Sequence, residues 1–454
     1  MQFDEVVREG PLSFCQELLL YNELLSRVPP TVTRLVRIDG PLDVLSFTCA
    51  AEAVIAAHEP LRTSWVWQQH EPVAHVKSNR NLPASTIVSD LEPEQDSVAV
   101  VAAALAPTGL AAICPPHLRH RIFRRRDSDH LWVFSGHHIA VDAISLKLYA
   151  ETFRASYTRS PEVHLRTTSI EYARTQRTWL ASDSAQAELL WWLRKLEPIS
   201  REELPVRPPA KASDNWLERQ ELRLPIEVRS AVLRTARGEK SPPAAVFLAA
   251  YAQTVNRRLP RATHCVLTNV PVRNLEGATS TSGACYNSLP LVLAAEDSAA
   301  AAISTAANAL FDALDQQGVP APLINLACIR QGKPPLPDRV PVTFNVVDHP
   351  LSEFRLPGCR LWEVDLISLG PPAWGHSGPT VLRSNQTPVR PSMDWMVSLL
   401  PSSIVLTVEY NASYADREDI SAILSEYEAT LRRLCSALTQ DVSAGDCGLV
   451  ADWS

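Results

Sequence analysis

The segment Ser135-Gly-His-His-Ile-Ala-Val-Asp-Ala-Ile-Ser145 gathers the side chains best suited to chemistry. Two adjacent histidines, His137 and His138, are followed four residues after the second by Asp142. An imidazole near its ordinary pKa of about 6.5 can take a proton from an attacking amine or hydroxyl, or hold that nucleophile by a hydrogen bond. An aspartate close by can pin the loop through charge-assisted hydrogen bonds or an ion pair. Alone, the pattern has a second reading, as two polar loop residues and a helix N-cap. It is a poor metal site. Adjacent histidines point in different directions, and no neighbouring His, Cys or Glu completes a set.

A strand and a helix must present this loop. Residues 131–135 read as a strand, and residues 143–157 as a helix with Ile144, Leu148, Tyr149 and Phe153 inward. Upstream, Asp43 can cap a helix running to about His58, with Phe47, Ala51, Val54 and Ile55 on one side, and a strand follows at 63–67. A Trp-rich helix at 188–196 runs into the extended stretch 202–212, which reads as a linker. The pattern then restarts, with a helix at 244–258 and strands at 263–270, 290–293, 341–347 and 404–410. The closing helix, about 416–438, has Ile420, Ile423, Leu424, Tyr427, Leu431 and Leu434 at helical spacing. The reading is two mixed α/β halves joined near 180–212.

Composition narrows the function classes. A chain of 454 residues suits two to three domains, and 46% hydrophobic against 20% charged residues supports a real core rather than disorder. No apolar run is long enough to cross a bilayer, and the N-terminus lacks a signal-peptide core, so a cytoplasmic protein with no membrane partner is expected. Nine cysteines without CxxC or Cys-His spacing read as reduced thiols, not a disulfide framework or zinc site. A net charge of -7 gives no reason to propose a nucleic-acid partner.

The histidine segment resembles the HHxxxDG motif of the condensation domains of nonribosomal peptide synthetases, members of the chloramphenicol-acetyltransferase-like superfamily. Leu12-Ser13-Phe14-Cys15-Gln16 is similar to that family's Ser-x-Ala-Gln motif, and His58-Glu59-Pro60-Leu61-Arg62-Thr63 to His-Glu-x-Leu-Arg-Thr. Tyr172-Ala173 with Gln176 and Trp179, then Trp192 and Leu196 followed by Leu204-Pro205 and Arg207-Pro208, resemble the motifs leading into the second half. Gly283-Ala-Cys-Tyr-Asn-Ser-Leu-Pro290 resembles Gly-x-x-x-Asn-Thr-Leu-Pro. The matches keep family order over essentially the whole chain.

The resemblance implies an α/β (α+β) fold with two acetyltransferase-like lobes, residues 1–180 and 213–454 joined by a linker at 181–212. They would form a V with a central tunnel. It implies no bound cofactor or metal. The acyl donor would arrive as a thioester on the 4'-phosphopantetheine of an acyl or peptidyl carrier protein, to meet a small-molecule or carrier-bound nucleophile. His138 matches the second histidine and is the candidate catalytic imidazole, with His137 supporting the loop. Asp142 is expected to pair with Arg62. Gly136, Ala143, Asn287 and Ser398 are expected to line the tunnel or its floor, and Trp395 is a further possibility. Ala143 departs from the family's usual glycine. The chain starts close to the first motif and stops after the closing helix, so a free-standing monomeric enzyme of nonribosomal peptide or hybrid polyketide biosynthesis is expected, forming an amide or ester. Two rivals stand beside it: a coenzyme A-dependent acyltransferase of the same superfamily, which usually lacks the paired histidines and the Leu-Arg-Thr and Asn-x-Leu-Pro motifs, and a non-catalytic carrier-docking module, which would tend to lose His137, His138 and Asp142.

Overall fold

Local capping and periodicity set the elements that carry the loop. Asp43 starts the helix Val44–Ala57 by accepting the Ser46 N–H at 3.0 Å, and the helix buries Phe47, Ala50, Ala51, Val54 and Ile55 on one side. Asp142 caps the helix Ala143–Tyr157 in the same way, through the Ser145 N–H at 2.7 Å. The two helices meet where the Phe47 and Phe153 rings lie 4.8 Å apart, and Phe47 packs edge-on against Trp132 of the underlying sheet. The inward stripe of the second helix is Ser145, Leu146, Tyr149 and Phe153. Ile144 and Leu148, expected inward, are half-buried instead. The helix is turned so that the Ser145 hydroxyl can reach the backbone of Gly283.

In this computed structural model the described residues are 5–443 apart from 27–28, 70, 92–110, 112, 161–166, 198, 200–202, 210–216, 262, 274–279, 295, 337–339, 349–353, 364–392 and 401. The first half contributes strands β1 (Val6–Pro11), β2 (Thr31–Asp39), β3 (Thr63–Gln68), β4 (Glu71–Lys77), β5 (Thr86–Asp90), β6 (Leu118–Arg126) and β7 (Asp129–His137). The second contributes β8 (Leu217–Leu224), β9 (Thr263–Pro271), β10 (Tyr286–Ala294), β11 (Val342–Asp348), β12 (Arg360–Glu363), β13 (Met393–Leu399) and β14 (Ile404–Asn411). They form a small sheet β1-β4-β3, a five-stranded sheet β12-β2-β7-β6-β5 and a six-stranded sheet β10-β9-β11-β13-β14-β8. Each large sheet has its own hydrophobic core. The closing helix, Arg417–Ser443, buries all six of its expected inward residues on the six-stranded sheet's core.

The chain does not divide cleanly at residues 180 and 213. Trp192, on the helix Asp183–Lys195, is buried in the second core and donates its indole N–H to the Gln316 carbonyl at 2.7 Å. Arg207, in the stretch read as a linker, is held from both sides by the closing helix: its N–H donates to Asp419 and its carbonyl accepts from the Asp416 N–H. More pointedly, β12 belongs by sequence to the second half but pairs antiparallel with β2 of the first sheet. Phe354, just upstream, packs against Trp132 and Phe153 in the first core. Truncating Phe354 should therefore loosen the first sheet rather than the second. Phe354→Ala is expected to cost about 3–5 kcal/mol, the usual range for a buried phenylalanine, read as a lower urea midpoint. A change near zero would show that the 354–363 segment does not hold the sheet.

Candidate active site

Strand β7 ends at His137, and the next residues turn tightly into the helix capped by Asp142. Ala140 and Val141 each donate their N–H to the His137 carbonyl, and the His138 N–H donates to the Pro30 carbonyl at 2.8 Å. Gly136 is needed for this turn. A Cβ there would sit 2.6 Å from Val141 Cγ2. Gly136 is thus buried in the strand and does not line a tunnel, because Val141 fills the space beside it.

His138 is half-buried, and its ring lies 5.4 Å from that of Tyr286, the first residue of β10. Its Nδ1 is buried near its own backbone and that of Val141 without a partner at hydrogen-bond geometry. Burial holds its pKa below the usual histidine value, which outweighs the nearby Asp142 charge. The ring is therefore mostly neutral at pH 7. His137 is fully buried, its Nε2 lying 2.9 Å from the Glu23 carboxylate and its Nδ1 accepting the Ile139 N–H at 3.1 Å.

Asp142 does not pair with Arg62. Its partner is Arg273, whose Nη2 lies 2.9 Å from both carboxylate oxygens. Both side chains are more than nine-tenths buried. Asp142 also accepts the Ser145 hydroxyl at 2.6 Å and the Cys285 N–H at 3.1 Å. Arg273 spends its other donors on the carbonyls of Thr281 and Cys285. Burial is the largest single influence and works against its charge, but Asp142, with smaller contributions from its other neighbours, holds the guanidinium above its ordinary pKa. Arg62 ends the short helical turn Glu59–Arg62 and donates instead to the Lys77 carbonyl at 2.5 Å, tying that turn to β4. The reason is direction: the Asp142 carboxylate faces the second half of the chain, where Arg273 follows β9.

The remaining expected residues separate. Asn287 is consumed by structure: its amide donates to the carbonyls of Gln317 and Val319 and accepts the Ala321 N–H at 2.8 Å. It still borders a cleft of about 360 Å³, open mouth included, with Cys15, Gln176, Tyr286, Ser288 and Pro320. Trp395 is fully buried in the second core. Ser398 lies on β13, three strands from β10 and so roughly 14 Å to the side at about 4.8 Å per strand. Ala143 is exposed at the first turn of its helix with ordinary helical backbone, so nothing here requires a glycine. The arginines of β6 partly find acids, Arg124 with Asp90 and Arg125 with Asp129, as a solvated strand would.

Sequence reasoning missed Arg273, Glu23 and Tyr286. Gln16 and Glu23 are seven residues apart on the helix Phe14–Ser26, so periodicity puts them on one face, but not against which loop. Arg273 stands alone after an apolar strand, ten residues before Gly283, which marks it only once the motif pairing is known. Among the described residues, no three His, Cys, Asp or Glu side chains gather to hold a metal ion, and no helix is long and apolar enough to cross a membrane.

This geometry has relatives. The family model named Condensation domain matches residues 7–347, and the chain belongs to that family. Gramicidin S synthase 2 of Brevibacillus brevis is 26% identical over 186 residues, 40% of this chain and 4% of that protein. Malpibaldin synthetase of Mortierella alpina is 27% identical over 226 residues, 46% of this chain and 4% of that protein. The chain thus spans only a few per cent of the length of these relatives. Among solved structures, SgcC5 from Streptomyces globisporus superposes with a TM-score of 0.74 at 21% identity, over 94% of this chain and 98% of that one. The condensation domain of the Monacolin K polyketide synthase MokA gives 0.78 at 17%, over 95% and 98%. The fold is the chloramphenicol-acetyltransferase-like one that the motifs implied.

The ion pair yields a direct test. Asp142→Ala and Arg273→Ala should each cost roughly 3–5 kcal/mol, because each leaves a buried charge alone. In a double-mutant cycle the two should be strongly coupled, while Asp142→Ala and Arg62→Ala should add independently. Coupling to Arg62 instead would overturn the pairing.

Proposed function

We propose that this chain condenses an acyl or aminoacyl thioester, held on the phosphopantetheine of a carrier protein, with an amine or hydroxyl nucleophile. The observation that carries this reading is the neutral, half-buried His138 imidazole, set beside Tyr286 where the two halves of the chain meet. The nucleophile's nitrogen or oxygen attacks the thioester carbonyl, His138 Nε2 takes its proton, and the proton passes on to the departing thiolate as the C–S bond breaks. The thioester is already activated. The protein's part is position and proton handling. The family membership supports this reading, as do relatives named as a synthase and a synthetase.

The test is intact-mass analysis of acyl-loaded carrier proteins mixed with the enzyme and a panel of amines and alcohols. His138→Ala is expected to keep its fold and lose about 10²–10⁴-fold in turnover. Wild-type turnover in a folded alanine variant would remove the imidazole from the mechanism. Because burial lowers the His138 pKa, the base form prevails at neutral pH. The acid limb of kcat/KM should then fall below pH 6.5, and disappear in His138→Ala. A related starter condensation domain has been solved in complex with C8-CoA, so acyl-CoA donors belong in the same assay. Faster reaction of acyl-CoA than of acyl-carrier would favour the coenzyme A rival.

Ala143 tests the donor path. It is exposed at the start of the helix that follows the loop. Ala143→Gly should keep carrier-dependent activity at a stability cost of up to about 1 kcal/mol. Ala143→Leu should depress that activity sharply with an unchanged melting curve. Undiminished activity in the leucine variant would place the pantetheine arm elsewhere.

A further inference from the structure

The turn that presents His138 is held at one residue, Ile139, and one carboxylate outside the motif governs it. The Ile139 N–H donates to His137 Nδ1 at 3.1 Å. The Ile139 carbonyl accepts from the Ala284 N–H at 3.1 Å and from Gln16 Nε2 at 3.5 Å. The residue after His138 is therefore gripped through both its N–H and its C=O. The grip on the N–H works only while Nδ1 is a bare acceptor, so the ring proton must sit on Nε2. The group facing Nε2 is Glu23 Oε2, 2.9 Å away, which can only accept. Glu23 comes from the last turn of the helix Phe14–Ser26, 114 residues from His137 in sequence. The same helix carries Gln16, so it holds the turn at both its histidine and its Ile139 carbonyl.

We propose that Glu23 is the positioning residue of this active site: it fixes His137 in the Nε2–H tautomer, and through the Ile139 peptide it sets where His138 stands. It touches no substrate. The alternative tautomer would put an N–H against the Ile139 N–H, two donors face to face in a fully buried spot. The turn would open, and His138, joined to Ile139 by one peptide bond, would move with it. The charged form of His137 would do the same, since both its nitrogens carry protons. The other ring close to His137 is His117, 5.7 Å between centroids. Burial pushes the His117 pKa down to about 3, and its Nε2 is taken by the Thr63 carbonyl. With its proton on Nε2, neutral His117 keeps Nδ1 as an acceptor, but that atom makes no hydrogen bond to His137 or to any other group among the described residues. The effect on turnover rests on the condensation reading given above. The tautomer does not.

The experiment has two readouts for that reason. Nitrogen-15 NMR of the histidine rings in the full chain should show His137 with a proton on Nε2 and a bare Nδ1, with the assignment made from the His137→Gln spectrum. Glu23→Gln keeps an acceptor oxygen and should preserve both that tautomer and turnover to within about threefold. Glu23→Leu keeps the bulk without the acceptor. It should mix the tautomers and lower kcat by up to about 10²-fold, the scale for a small misplacement of a reacting group, with KM little changed. A protonated Nδ1 in the wild type overturns the proposal whether or not any variant folds. So does a Glu23→Leu protein with wild-type kcat. If the wild-type tautomer is as stated but no carrier-bound thioester reacts, the condensation reading fails and the role of Glu23 in the loop stands.

Discussion

The ion pair between Asp142 and Arg273 is the interaction on which the rest of the site depends. It joins residues 131 positions apart, one from each half of the chain, in a place water scarcely reaches. A buried pair of this kind gives little net stability, since the cost of stripping water from both charges offsets most of their attraction. What it gives is uniqueness. The carboxylate has only one arrangement that satisfies the Ser145 N–H and hydroxyl, the Cys285 N–H and the guanidinium together. Any sliding of one half against the other leaves a charge unpaired. The N-cap that starts the helix after His138 and the contact that aligns the two halves are thus one side chain.

Glycine at 283 makes that arrangement reachable. Its φ of +102° is a conformation side chains avoid, and a Cβ there would press within 3.2 Å of Pro60 and 3.3 Å of Gln16. This lets the backbone lie against the first half closely enough for its N–H and carbonyl to bond the Ser145 hydroxyl. Ala284, next in line, is buried in the first core and donates to Ile139. Tyr286 then reaches His138. A motif that reads in sequence as part of the second half works, in the fold, as a wall of the first.

This explains which parts were legible from sequence. The bounds of the helix Ala143–Tyr157 were readable, because Asp142 announces its start and the apolar pattern runs to Tyr157, but its rotation was not, since Ile144 and Leu148 are only half-buried. The closing helix was readable for the same reason. Local hydrogen bonds and burial on one face write themselves into spacing. The partner of Asp142 was not readable. Arg62 and Arg273 are both single arginines beside apolar segments, and only the direction in which the second half packs distinguishes them. Strand β12 was hidden similarly: nothing in Arg360–Glu363 says that it will cross to β2. Asn287 shows the converse. Its motif position placed it on the tunnel floor, but its amide makes three hydrogen bonds to the 317–321 loop, and accounting for each donor and acceptor shows that it supports structure.

Placing His138 where the halves meet gives its position to neither half alone. The strand that brings it in is braced by β2 on one side and by β6 on the other. The helix that leads away is anchored to Arg273, and the peptide after it is held by Ala284, both from the second half. If the halves part, the imidazole loses the Tyr286 ring beside it and the Ile139 carbonyl loses a donor in the same motion. The lowered pKa of His138 depends on the same closure, because burial is its main cause. Opening would return the ring toward its ordinary value and loosen its aim together. The environment of the imidazole and its placement are therefore set together in the closed chain, and the Asp142–Arg273 pair is the contact that holds them.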